Sequence, residues 1–384
     1  MVPEFPSQEI LEKAVHLLKR GYGRNTIRRK LGIDKLTLEI ALARLKAGDK
    51  FSRKNLWMDL SGLRYATHEI VAQTRAQRLK EVGVGSLADV SCGVGVQLIF
   101  YAMNVEKAYG IDIDPLKVEF ARRNAKIYGV DNIEFLVGNS LSMEIAGRIK
   151  ADVVYSDPAR PPVSRKRTLE ELQPNLRILY DLYHPKVSAF IFDLPPQIRR
   201  ELIPWKGEFE YVDLYGHLNR LTFYTDELAM AERSALILPS MIRLKNDDSL
   251  ENIVSVTGKI GEYLYEVPQA VVYADLLNEL LHRVKGEMEF LIISKRRTIA
   301  TGNEKLISPY LKRTYRVIDV LRFHPARINE ALKREGFGRA TLKFPLSPSE
   351  HTRIKKIIER GLTGKKRAFV FKFGENGVIA EAIV

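Results

Sequence analysis

Four short apolar runs in the first half of this chain each end beside residues that could do chemistry. Residues 87–90 carry Asp89 and open into Cys92-Gly93-Val94-Gly95; residues 107–111 end at Asp112; residues 133–137 precede Gly138-Asn139; residues 152–155 run into Ser156-Asp157-Pro158-Ala159-Arg160. Glycine after an apolar run lets the backbone pass through positive φ and lets a ligand approach without a Cβ in the way. An acid about 20 residues beyond such a turn is placed to grip a ribose diol. Only two glycines are present, and Gln97 stands where a dinucleotide-binding turn needs the third, which argues against NAD or FAD.

These positions need a scaffold. The apolar runs have strand length, 97–103 reads as the start of a helix, and the alternation predicts an α/β sheet with the four strand ends converging on one crevice. Asp-x-x-Cys-Gly-x-Gly, Gly-Ile-Asp-Ile-Asp-Pro, Asn-Ala followed by Tyr-Gly-Val, and Asp-Pro at the fourth strand end occur in that order over about 75 residues. That combination resembles the class I S-adenosylmethionine-dependent methyltransferases. A Rossmann-like sheet is then expected, mostly parallel, finishing in an antiparallel hairpin at 208–215 and 221–225. In such a pocket Asp89, Cys92, Gly93, Gly95 and Gln97 would lie at the cofactor turn, Asp112 at the ribose, Ile113 on the adenine and Asn139 at the adenine edge. Asp114, ahead of Pro115, reads instead as a helix N-cap.

The chain has 384 residues and a net charge of +14. Residues 1–50 hold 11 Lys and Arg against 6 Asp and Glu, residues 309–384 hold 17 against 7, and the middle is balanced. Basic flanks around a neutral centre suit a polyanion, because neutralising phosphates releases counterions. A heat-adapted surface is the plainer source of charge, yet it leaves the asymmetry unexplained. The single cysteine, Cys92, excludes a disulfide framework and a multi-cysteine zinc site, and the seven histidines show no metal-ligand spacing. No metal and no disulfide-linked partner are expected. No apolar run reaches the roughly 18 residues of a membrane span, and 1–10 lack a signal peptide's apolar core, so a cytoplasmic location without a membrane partner is expected.

Taken in order, 7–21, 25–31 and 35–45 read as three helices, either a helix-turn-helix or a plain packing module; in the first case Arg24, Arg28, Arg29 and Lys30 would meet phosphates. Residues 51–81 link onward through a helix at 66–79, whose Thr67, Arg75 and Arg78 read as a solvated face more readily than as ligand contacts. Beyond the Asp-Pro corner, Arg160, Arg165, Lys166 and Arg167 are candidates for substrate phosphates. The polar stretch 246–252 marks a boundary, giving domains at 1–50, 51–245 and 246–384. The last has a βαβαβ-like order. With Asp157–Arg160, Tyr263–Pro268, Glu-Gly-Phe-Gly-Arg and the closing Lys-Lys-Arg-Ala-Phe-Val-Phe-Lys-Phe, it looks like the THUMP-like domain appended to one family of these methyltransferases.

The resemblance implies a chemistry. An Asp followed by Pro at the fourth strand end is similar to the corner of enzymes that methylate exocyclic amines of bases, where the acid accepts one amine hydrogen. Asp157 and Pro158 match; Ala159 and Arg160 replace the second proline and the aromatic, leaving Tyr155, Phe192 or Tyr215 to stack on a base and Arg160 to bind phosphate or lie flat on it. The expected activity is S-adenosylmethionine-dependent N-methylation of cytidine N4 or guanine N2 in ribosomal RNA or a ribosomal subunit, with S-adenosylhomocysteine as product. Transfer RNA is the alternative substrate. A non-catalytic nucleic-acid-binding protein holding a nucleotide ligand is the alternative of another class.

Overall fold

The computed structural model describes residues 4–159 and 168–383. Arg160, Arg165, Lys166 and Arg167 lie outside these residues. The chain divides into two compact units, 1–210 with 220–232, and 211–219 with 233–384.

In the first unit the three predicted N-terminal helices form as α1 (Gln8–Lys19), α2 (Arg24–Leu31) and α3 (Lys35–Lys46). Ser7 caps α1, its Oγ accepting from the Ile10 N–H, and Asp34 caps α3. Between them Gly32, at φ +64°, closes α2. They do not make a unit of their own as the 1–50 boundary anticipated. Three short helices bury little alone, and Leu11, Ala14, Ile27 and Ile40 sink into the same core as Leu87, Leu98 and Phe120. The helix expected over 66–79 forms as α5 (Glu69–Val82), and a separate short helix, α4 (Leu60–Tyr65), precedes it. Ala66 leaves the helical region at ψ 138° and His68 restarts it as an N-cap.

The sheet follows from the strand ends: β1 (Ser86–Asp89), β2 (Lys107–Asp112), β3 (Ile133–Val137), β4 (Val153–Ser156) and β5 (Ala189–Leu194), then β6 (Glu208–Leu214) and β7 (His217–Tyr224). Strand order is β3-β2-β1-β4-β5-β7-β6. The first five pair in parallel and β7 runs antiparallel to β5. Crossovers use α6 (Val96–Ala102), α7 (Pro115–Tyr128), α8 (Met143–Arg148) and α9 (Leu176–Tyr183). The order reverses between β1 and β4, and ligands bind such sheets at that switch point, outside the strands' carboxyl ends.

The second unit holds the hairpin β8 (Arg233–Leu238) and β9 (Ile242–Lys245) and a seven-stranded sheet. That sheet takes β10 (Tyr263–Glu266), β11 (Glu289–Ile292), β12 (Ile299–Gly302), β13 (Arg313–Arg322), β14 (Phe337–Leu342), β15 (Lys366–Phe373) and β16 (Asn376–Ala382), in the order β11-β12-β10-β13-β16-β15-β14. The boundary expected at 246 moves to 233, because α10 (Gln269–Tyr273) and α11 (Leu277–Arg283) pack on β8 and β9. Asp275, at φ +55°, separates α10 from α11. The predicted βαβαβ order appears as β13, α12 (Pro325–Arg334), β14, α13 (Pro348–Ile358) and β15. β16, absent from the sequence reading, inserts between β13 and β15.

Candidate active site

The four strand ends open on one cavity of about 870 Å³. Asp89, Cys92, Gly93, Gly95, Gln97, Asp112, Ile113, Asn139, Tyr155, Asp157 and Pro158 all line it, and Phe192 does not. Its other walls come from the segment Ser61–Thr67 and from Leu172–Asn175.

The glycine loop is held from three sides. Gly93, at φ +53°, donates its N–H to Asp112 Oδ2 at 2.9 Å, and nothing stands within 4 Å of where its Cβ would be. Gly95, at φ +81°, presses on the Ala121 backbone, where a Cβ would collide. Asn124, the asparagine of the Asn-Ala motif, is fully buried and donates to the carbonyls of Val94 and Trp57 while accepting from the Trp57 N–H. That motif residue therefore fixes the loop rather than touching a ligand.

Asp112 accepts one backbone N–H on each carboxylate oxygen, from Gly93 and Asp114, and keeps further lone pairs on both. Burial pushes its carboxyl up, against those two hydrogen bonds. Ile113 is 72% exposed, an apolar surface on the cavity floor. Asn139 Oδ1 accepts from the Leu141 N–H at 2.9 Å, so its amide is partly engaged in its own loop. Asp114 caps α7 as its sequence context predicts. Asp89 is 2% exposed; burial raises its carboxyl well above the usual range, the neighbouring acids add to this, and the Ser91 N–H opposes it. Cys92 is buried with its thiol pushed up by burial, a small turn residue and not a nucleophile.

The Asp-Pro corner is tied to the glycine loop by Ser91, whose Oγ accepts from the Asp157 N–H at 2.8 Å and lies 3.3 Å from Ser156 Oγ. Behind it lies a network that the sequence did not disclose. Asp193, at the end of β5, accepts from both guanidinium nitrogens of Arg75, from Arg220 Nη1 at 2.6 Å, from Tyr155 Oη at 2.8 Å and from Thr222 Oγ1 at 2.9 Å. Burial alone would raise its carboxyl, yet Arg75 and Arg220 hold it below the ordinary value. Asp157 fares the other way. Among the described residues its nearest cation is Arg220, 3.7 Å away and committed to Asp193. Burial and the Asp193 charge raise Asp157 to about 6 against the pull of Arg220 and Arg75.

Four readings change. Arg75 and Arg78 are not a solvated face; each is 1% exposed, Arg75 on Asp193 and Arg78 on Glu208 and Glu210. Thr67, 3% exposed, accepts from Arg220 Nη1. Phe192 cannot stack on a base, because it is buried between Phe190 and Trp205, with ring centroids 5.3 and 5.4 Å away. Tyr155 is 1% exposed, its hydroxyl donated to Asp193 and its ring edge-on to Tyr101. Gln97 lines the cavity, but its amide is turned to Arg75 and the Ala72 carbonyl. Among the described residues no group of acids, histidines and cysteines is spaced to hold a metal, and no helix is long and apolar enough to cross a membrane.

Residues 84–173 match the family described as RNA cap guanine-N2 methyltransferase. An S-adenosylmethionine-dependent methyltransferase of Mycobacterium tuberculosis, itself uncharacterized, is 26% identical over 73% of this chain and 74% of its own length. An uncharacterized RNA methyltransferase of Halalkalibacterium halodurans is 30% identical over 28% of this chain, and the match spans about a quarter (24%) of that relative. A crystal structure of a candidate methyltransferase from Porphyromonas gingivalis W83 superposes over the whole of both chains with a TM-score of 0.72 at 17% identity, which establishes the shared fold.

Proposed function

We propose that this class I S-adenosylmethionine-dependent methyltransferase acts on RNA, adding a methyl group to the exocyclic amine of a base, guanine N2 or cytidine N4, in ribosomal RNA. The observation that carries the reading is the Asp157-Pro158 corner, a carboxylate 40% exposed at the end of β4 whose proton affinity is raised while its neighbour Asp193 takes the cations. The matched family's description favours guanine N2, and the names of the curated relatives favour RNA.

The cavity suits the cofactor. Gly93 leaves room for close approach, Asp112 keeps lone pairs for a ribose diol, and Ile113 offers an apolar face to adenine. Asp112, Asp114, Asp157 and Glu170 line it against Lys117, which is bound to Asp59, so its charge favours a cationic ligand. S-adenosylmethionine bound there supplies a methyl group on a cationic sulfur. Asp157 accepts one amine hydrogen and directs the nitrogen lone pair, a positioning role with large leverage in a displacement reaction. With its affinity raised to about 6, the same carboxylate takes the proton that the methylated amine gives up.

The second unit supplies support of another kind. Arg339 and Arg367 face each other in the β14–β15 register, both exposed, with Lys333, Arg360 and Lys365 exposed on the adjoining segments. Like charges directly opposite destabilise a sheet, and a phosphate backbone relieves that repulsion. This favours RNA binding by a THUMP-like second unit. Arg165, Lys166 and Arg167, and Arg24, Arg28 and Arg29 on α2, are proposed as further phosphate contacts. Transfer of radiolabelled methyl to total RNA, ribosomal subunits, DNA and protein, followed by nucleoside mass spectrometry, tests the reading. Label as N2-methylguanosine or N4-methylcytidine in ribosomal RNA supports it, label in transfer RNA moves the substrate, and label confined to protein or DNA overturns it.

A further inference from the structure

The amine-methylation corner of this chain lacks the aromatic residue that its Asp-Pro pair would lead one to expect, since Ala159 and Arg160 follow Pro158. A base held for methylation still needs a face to stack on, because unstacking it from its own strand costs a few kcal/mol. Among the described residues, the aromatic side chains lining the cavity are Tyr65 and Tyr155. Tyr155 is 1% exposed and spent on Asp193 and Tyr101. Tyr65 is 69% exposed, although the Arg64 guanidinium lies over its ring at 5.4 Å from the centroid.

The position of Tyr65 along the wall decides which ring it would meet. The segment Ser61–Thr67 is anchored at one end by Lys117, on the helix that follows Asp112, whose Nζ donates to Ser61 Oγ at 2.8 Å. At the other end Arg220 Nη1 donates to Thr67 Oγ1 at 3.3 Å, and the same nitrogen lies 3.7 Å from Asp157 and 2.6 Å from Asp193. The wall thus runs from the ribose acid to the acceptor carboxylate. Tyr65 stands four residues from the first anchor and two from the second. The packing of Gly62 fixes the wall between them: a Cβ there would meet Val94 of the glycine loop at 2.7 Å.

We infer that Tyr65 is the platform on which the target base stacks while Asp157 holds its amine, with Arg64 strengthening the stack from above the ring. This rests on the methyl-transfer reading of Asp157. Stacking is an interaction of the ring and not of its hydroxyl, so phenylalanine at this position keeps it and alanine loses it.

The test compares wild type, Tyr65→Ala and Tyr65→Phe by kcat and KM for methyl transfer to RNA, alongside calorimetric affinity for S-adenosylmethionine. Tyr65→Ala is expected to lower kcat/KM for RNA by roughly 5- to 150-fold, the range that base–aromatic stacking supports. Tyr65→Phe restores it, and cofactor affinity stays within twofold in both. An unchanged kcat/KM in Tyr65→Ala, a loss confined to cofactor affinity, or a Tyr65→Phe as defective as Tyr65→Ala overturns the assignment. A second readout needs no turnover: a short single-stranded RNA carrying 2-aminopurine is quenched on binding wild type and less so on binding Tyr65→Ala. If wild type transfers no methyl to RNA but this quenching difference is present, stacking stands and the methyl-transfer reading fails. If transfer occurs and the difference is absent, the reading stands and Tyr65 is not the platform.

Discussion

Each unit of this protein buries a carboxylate between two cations and a tyrosine hydroxyl, and the two arrangements differ in one respect that separates structure from chemistry. In the second unit Glu266 accepts from Tyr315 Oη at 2.6 Å and pairs with Lys343 at 3.0 Å and Lys312 at 3.2 Å. In the first, Asp193 accepts from Tyr155 and pairs with Arg75 and Arg220. Burial would raise both carboxyls, and their partners hold both below the ordinary value, Glu266 at about 2. Beside Asp193, however, stands Asp157, which inherits the repulsion of Asp193 and only the distant edge of Arg220, and which opens on a cavity. A satisfied buried ion is a brace. The carboxylate next to it, 40% exposed and with one distant cation among the described residues, is where a substrate has something to gain, and perturbed groups gather at functional sites for that reason.

Removing the brace of the second unit gives the largest effect on stability. Glu266→Ala leaves Lys312 and Lys343 facing each other over a buried tyrosine, and should cost about 3 kcal/mol by denaturant unfolding, because breaking a buried pair strands its partners. Since the folded pKa of Glu266 lies below its unfolded value of 4.5, its contribution is fully present above that pH and fades as pH falls toward about 2. Wild type and variant should therefore converge in stability in strong acid. A constant gap down to pH 2 would mean that Glu266 braces the unit through packing alone.

The pH dependence of activity sharpens the other side of the comparison. On the proposed reading Asp157 acts as a carboxylate, and since its affinity for a proton is raised, kcat/KM should fall as pH drops through about 6. Asp193→Asn removes the repelling charge and frees Arg220 toward Asp157. The acid limb should then move to lower pH, while a limb that stays in place would assign it to another group. The smallest effect is expected at the basic edge of the second unit. Arg339→Ala combined with Arg367→Ala should weaken RNA binding and reduce the slope of log affinity against log salt by roughly 1 to 2, about 0.7 to 0.9 for each phosphate no longer neutralised. An unchanged slope would place the RNA elsewhere.

The strand ends were legible because apolar runs of strand length ending in Asp89, Asp112, Asn139 and Asp157 have few other readings in an α/β chain. The ionic network was not. On α5, Arg75 and Arg78 have the look of a solvated helix face, and only the pairing of β5 with β7 brings Asp193, Thr222 and Arg220 to Arg75. Asn124 was legible as part of a motif but not in its role, since its partners Trp57 and Val94 lie 67 and 30 residues away. Tyr65 lies just before the helix expected over 66–79, in a stretch read only as a link, and the short helix α4 and the turn at Ala66–His68 bring this wall onto the cavity. The aromatic expected near β4 was sought in Phe192, a residue that the aromatic cluster with Trp205 claims for the core.

Asp157→Ala, assayed for methyl transfer and for RNA binding on the same preparations, tests most directly whether the carboxylate beside the braced one is the working one. Transfer should fall by roughly 10²- to 10⁴-fold, the scale of a positioned proton acceptor, while RNA affinity stays within a few-fold and the unfolding midpoint holds or rises. Equal loss of transfer and binding, or transfer that survives the substitution, would contradict it.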